Sequence, residues 1–154
     1  MDKIIPRTVV IMLGAIYSIA AGILMSLQGV FNTRLGQKIG LWETNFIVQV
    51  TGLLFTTVAL LLVGDGSFKN ARTANKIYYL GGFIGVFIIY TVMKGISSLG
   101  PTCSIAVILV AQLAAAAIID AFGLFGSETI KFGITKIIGI IVMVVGIMIF
   151  KWKC

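Results

Sequence analysis

Residues Gly100–Gly126 read GPTCSIAVILVAQLAAAAIIDAFGLFG. From Thr102 to Ile119 the stretch carries no charge and is long enough to cross the hydrocarbon core of a bilayer as a helix. Pro101 after Gly100 suits a helix start, because proline at the first helical position gives up only an N–H that had no partner there. Inside the run sits Gln112, and at its end Asp120. A carboxylate at membrane depth is costly and is kept where it lines an internal pathway or meets a partner. Asp120 also precedes Gly123 near the expected helix C-terminus, where the macrodipole disfavours negative charge. These two penalties on one side chain make Asp120 a candidate functional group, with Gln112 two turns before it.

The composition agrees with a bilayer as solvent. The 154 residues are 59% hydrophobic and 11% charged, with a mean hydropathy of +1.11. The uncharged runs are too long for the core helices of a soluble domain, so the chain reads as one integral membrane domain, residues 1–154. The apolar runs are continuous and lack the alternation of a lipid-facing strand, which makes the class all-α. The formal charge of +7 is spread over every connection between apolar runs, where Lys and Arg meet lipid headgroups, and does not indicate nucleic acid. With no His and two separated cysteines, Cys103 and Cys154, neither a metal site nor a cofactor is expected. Lys3 and Arg7 ahead of an apolar run resemble a signal peptide, but the run stays uncharged to Thr33, so it is expected to be a first, uncleaved span.

Five spans follow, at about 8–32, 42–63, 77–93, 102–122 and 132–150. In the first, Gly14, Ser18, Gly22 and Ser26 repeat every four residues, a ladder of small side chains that admits another helix closely. Gln28 and Asn32 stand one turn apart on one face at its end. A short loop with Arg34, Lys38 and Gly40 is expected next, then Trp42 at headgroup depth. In the second span Asn45, Gln49, Gly52 and Thr56 form a polar stripe that should face protein, since lipid-facing amides are costly. Glu43, in the first turn, is either an interfacial carboxylate favoured by the helix N-terminus or a pathway group.

Gly64–Lys76 is a hydrophilic, basic loop with Lys69, Arg72 and Lys76. The third span opens on Tyr78 and Tyr79, carries the Gly81/Gly85 pair, and places Tyr90 and Thr91 deeper, ahead of Lys94. Residues Gly95 to Gly100 should turn the chain into the fourth span. The fifth, from about Phe132 and with Lys136 near its start, is aliphatic, with Gly139 and Gly146 seven apart. It is expected to be a packing helix, at an oligomer interface or against lipid.

An odd number of spans puts the termini on opposite sides. Lys3, Arg7, Lys69, Arg72, Lys76, Lys131 and Lys136 then share one face, against Arg34, Lys38, Lys94, Lys151 and Lys153 on the other. Seven against five is a weak preference for a cytoplasmic N-terminus, and is compatible with one orientation or with insertion in both.

Four segments carry a family resemblance: QGVFNTRLGQKIG at Gln28–Gly40, LGGFIGVF at Leu80–Phe87, LGPTCSIAVILVAQL at Leu99–Leu113, and IDAFGLFG at Ile119–Gly126. With them the chain resembles the YdcZ-like family of the drug/metabolite transporter superfamily. The resemblance implies a multi-pass protein of the bacterial cytoplasmic membrane, with five helices similar to one half of the ten-helix inverted-repeat members. It further implies an antiparallel homodimer, or a heterodimer with a related five-helix protein, around a central pathway. Small multidrug-resistance members of the superfamily bind proton and cationic substrate on a glutamate in the first helix. This first span has no carboxylate, so such an exchange would fall to Asp120 or Glu43.

The leading functional expectation is a secondary active transporter, coupled to protons, for a small polar or cationic organic solute. Gln28, Asn32, Asn45, Gln49, Tyr90 and Gln112 are its candidate solute contacts, the amides offering both donors and acceptors. Asp120 is the candidate coupling group, where proton and solute would compete for one carboxylate; Glu43 is the second candidate. Each amide is also a candidate for interhelical glue, and Asp120 for a pairing with Lys94 or Lys136. The alternative class is a small non-transporting helper or regulatory subunit, which needs no polar cavity. A passive channel would need a continuous polar pore. An enzyme is the least supported class, since no nucleophile–base pair or phosphate-binding loop is evident.

Overall fold

The computed structural model describes residues 6–130 and 133–151. Lys3, Lys131, Phe132, Lys153 and Cys154, which entered the charge tally, the fifth-span boundary and the cysteine reading, lie outside the described residues, as do the side chains of Arg7, Lys136 and Lys151. The described chain is helical: α1 Arg7–Ile39, α2 Leu41–Val63, α3 Gly81–Leu99, α4 Pro101–Phe122 and α5 Ile134–Lys151, with short 3-10 segments between them. Four stretches are long and apolar enough to cross a membrane, namely Thr8–Ile39, Leu41–Val63, Lys76–Leu99 and Pro101–Phe122, and Ile137–Phe150 is a shorter apolar helix. Their large apolar side chains point outward: Phe55, Leu61, Leu62 and Val63 are almost fully exposed, the orientation expected of a surface wetted by lipid chains.

α1 runs on to Ile39, well past Asn32, and the loop expected there is helix. Nothing between Thr33 and Ile39 except Gly36 disfavours a helix, and the chain turns at one residue, Gly40. Its φ of 103° is a conformation suited to glycine. The Gly40 N–H donates to the Gly36 carbonyl at 3.0 Å, and its own carbonyl accepts from the Thr44 N–H at 3.1 Å. One residue thus makes the last backbone bond of α1 and the first of α2.

The same device recurs at Gly100. α3 continues to Leu99, so Gly95–Leu99 is helix rather than turn. Gly100, at φ 77°, donates to Ile96 O at 2.9 Å and accepts from Ser104 N at 3.1 Å. Pro101 then starts α4 at its first position. Between α2 and α3 the basic loop is folded on itself. Ser67 and Asn75 accept from the amides of Lys69 and Ile77, and the Tyr79 hydroxyl donates to Ala71 O at 2.6 Å. The start expected of the third span, from Ile77, lies in a 3-10 segment, Lys76–Leu80.

The chain forms two compact units, divided between Lys94 and Gly95. In the first, α1 packs on α2. Its buried side chains among the described residues are mostly polar: Asn32, Thr33, Thr44 and Asn45, with Met93. A polar interior with an apolar exterior inverts the soluble pattern, as expected where lipid solvates the outside. In the second unit α4 packs on α5. α4 ends on Gly123 in the left-handed conformation, and the segment after it folds back. The Ile130 N–H donates to Asp120 O at 3.0 Å, which satisfies a carbonyl the helix end leaves open, and the Ser127 hydroxyl donates to Leu124 O of the following turn at 2.8 Å.

Candidate functional site

In the first unit the polar residues gather where the end of α1, the start of α2 and the second half of α3 meet. Gly36 marks the junction: a Cβ there would stand 3.0 Å from Leu41 Cδ2, 3.4 Å from Met93 Sδ and 3.6 Å from Thr44 Oγ1. Asn32 lies one turn before Gly36 on α1 and is 7% exposed. The Thr33 and Thr44 hydroxyls donate to the carbonyls four residues back, Gly29 at 2.7 Å and Gly40 at 2.8 Å, so they are satisfied within their own helices.

Asn45 differs from these threonines. It is 2% exposed, and its Nδ2 donates to the Val86 carbonyl of α3 at 2.8 Å. Its Oδ1 is buried without a hydrogen-bond partner among the described residues. Three residues before Asn45 and four after Val86, Trp42 and Tyr90 stack, with ring centroids 4.8 Å apart and an interplanar angle of 22°. α2 and α3 therefore touch at two successive turns, one polar and one aromatic. A turn further along α2, half-buried Gln49 has its Nε2 4.0 Å from where a Gly85 Cβ would be.

The polar stripe of α2 faces protein only in its first half. Gly52 and Thr56 are exposed, and Thr56 donates to Gly52 O at 2.8 Å, which lets it face lipid without an unmet donor. Gln28 is exposed on α1. Glu43 is exposed too, and its carboxylate lies over Gly40, where it would overlap any Cβ. That places it at the N-terminus of α2, the position where a carboxylate is favoured by the helix dipole.

In the second unit Asp120 lines a groove of about 260 Å³ between α4 and α5. Leu113, Ala116, Ala117 and Asp120 form the α4 wall at i, i+3, i+4 and i+7, a single helix face. Gly139, Ile140 and Met143 form the α5 wall. A Cβ at Gly139 would meet nothing within 4 Å, so the absent side chain leaves room beside the carboxylate. Gln112 is exposed and lies outside the lining.

Of the sequence candidates, Asn45, Gln49 and Tyr90 thus share the α2–α3 contact, with Asn32 buried in the same unit, whereas Asp120 has its own groove. Sequence reasoning passed over Thr44 and Met93, read Gly139 only as one of two glycines on a packing helix, and gave Trp42 only an interfacial role. Trp42 was legible as a partner from its spacing of three from Asn45; Met93 gave no signal, and the Gly139/Gly146 spacing was read as packing rather than as one wall of a groove. The family described as "Putative inner membrane exporter, YdcZ" matches residues 13–149. No curated protein and no solved structure matches the chain.

Proposed function

The chain belongs to the YdcZ family of inner membrane exporters, and from that membership together with the Asp120 groove we propose a proton-coupled secondary transporter of small polar or cationic organic solutes. As a family member it is a multi-pass transporter of the inner membrane. The observation that carries the finer reading is one carboxylate set in an otherwise apolar groove. Such a group is kept in a membrane where it handles a proton or a cation. A solute cation entering beside Asp120 would displace its proton, and a returning proton would release the solute, which gives exchange of one for the other. Asn32, Asn45, Gln49 and Tyr90 line the pathway in this reading, with Gln28 and Gln112 completing it and Glu43 as an interfacial carboxylate.

The proposed unit has five spans, with α5 as the fifth. Its 18 residues reach about 27 Å at the helical rise, close to the thickness of a hydrocarbon core. One copy supplies half of a ten-helix arrangement, and a second copy or a related chain inserted the opposite way supplies the rest. The nearly even charge tally supports both orientations. The open ladder on α1 supports the pairing: Gly14 and Gly22 have nothing within 4 Å of an added Cβ, and Ser18 and Ser26 bond only to their own helix.

Reconstitution into liposomes with a trapped pH-sensitive dye tests the proposal, using a panel of amines, guanidinium compounds, amino acids and sugars. Solute-dependent proton movement that disappears in a folded Asp120→Asn variant is the expected result. Movement that survives the variant removes Asp120 from coupling and brings Glu43 forward. No movement with any solute favours the helper-subunit reading.

A further inference from the structure

The buried Oδ1 of Asn45 has no partner among the described residues, and the rest of that side chain explains what would satisfy it. An asparagine amide ordinarily offers a ligand either its oxygen or its NH₂ group. Here the NH₂ is held by the Val86 carbonyl at 2.8 Å. Turning the amide over would set Oδ1 against that carbonyl, acceptor against acceptor. The side chain is thereby fixed as an acceptor and can be completed only by a hydrogen-bond donor. Leaving a buried acceptor empty is unfavourable, and native structures rarely do so without a functional reason.

We propose that Asn45 Oδ1 is the solute subsite for a donor-bearing head group, an N–H of a primary, secondary or tertiary ammonium, and that fully N-alkylated ammonium ions are rejected there. This specifies the solute chemistry of the pathway and rests on the transport reading above. Selection follows from the fixed amide: an ammonium with at least one N–H can bond to Oδ1, whereas a quaternary ion of the same charge leaves the acceptor unmet and adds bulk against a site that is 2% exposed. The Trp42–Tyr90 stack one turn away supplies a reporter on the same two helices.

The test follows Trp42 fluorescence of the purified protein, with Trp152→Phe as the background so that one tryptophan remains. The probes are butylammonium, butyldimethylammonium and butyltrimethylammonium ions. Saturable binding is expected for the first two. A drop of at least about tenfold is expected at the third, where the last N–H is lost. In a folded Asn45→Ala variant that step should flatten.

An even decline with each added methyl overturns the proposal, because bulk alone would then set affinity. So do equal binding of all three ions, absence of binding, and a step that persists in the folded variant. The series on the Trp152→Phe background does not depend on Asn45→Ala, so misfolding of that second variant leaves it decisive. Proton flux is a separate readout: flux without the methylation step sinks this inference and leaves transport standing, whereas the step without flux sinks transport and leaves a donor-selective binding site.

Discussion

Gly95 on α3 and Ser104 on α4 stand so close that a Cβ on the glycine would lie 2.6 Å from the serine hydroxyl oxygen. Ser104 is buried, so the hydroxyl has little room to withdraw. Gly95→Ala should therefore destabilise the protein by about 1–3 kcal/mol, the range for overpacking a filled site. The double variant with Ser104→Ala should recover most of that loss, because the next serine atom, Cβ, lies 3.8 Å away. Unfolding by denaturing detergent in a double-mutant cycle measures the coupling, and additive effects would contradict a direct contact.

The two single-residue elbows make a second prediction. Gly40 and Gly100 hold φ of 103° and 77° with extended ψ of 154° and 164°, a region essentially confined to glycine, so alanine at either should cost about 1–3 kcal/mol. A Cβ at Gly40 would also overlap the Glu43 carboxylate, but that is the end of an exposed, flexible side chain and can swing aside, so Gly40→Ala should cost little more than Gly100→Ala. Adding Glu43→Ala should remove the remaining difference. The same unfolding assay ranks them.

Gly22 reports on assembly. Among the described residues nothing lies within 4 Å of a Cβ added there, and alanine in a helix interior is favoured over glycine by roughly 0.5–1 kcal/mol. Gly22→Ala should leave the single chain intact or slightly more stable. Gly22→Ile should weaken pairing if α1 is the contact helix of the proposed dimer, because the small-residue ladder would no longer admit a second backbone. Cross-linking in membranes and mass measurement in mild detergent distinguish the two effects.

The groove beside Asp120 can be filled without touching the carboxylate. Gly139→Leu projects a side chain into space that Gly139 leaves open. It should lower solute-driven proton flux by at least about tenfold, the scale of a few lost contacts and a blocked approach. Gly139→Ala should have a smaller effect, and both should keep the wild-type elution profile. Unchanged flux in a folded Gly139→Leu would mean that the groove is not on the solute path.

By itself the sequence determined that the chain is helical and built of membrane-length apolar runs. Long uncharged runs force helices because a bilayer leaves no water for backbone groups, and glycine at positions 40 and 100 supplies conformations other residues avoid. The same reasoning singled out Asp120, because a carboxylate in such a run is costly wherever it points. It also misplaced two turns, reading Arg34–Gly40 and Gly95–Gly100 as loops when the helices run to Ile39 and Leu99. Charged and small residues resemble a loop but do not stop a helix; one glycine does.

Only the tertiary structure decided which polar residues meet protein. Asn45 and Gln112 are both amides in apolar runs, yet Asn45 is buried against Val86 while Gln112 is exposed. A helix that is apolar nearly all round has no hydrophobic face to orient it, since lipid solvates every apolar side equally. Its rotation is set by close backbone approach and by a few hydrogen bonds, and those depend on residues far apart in the chain: Gly36 against Met93, and Asn45 against Val86.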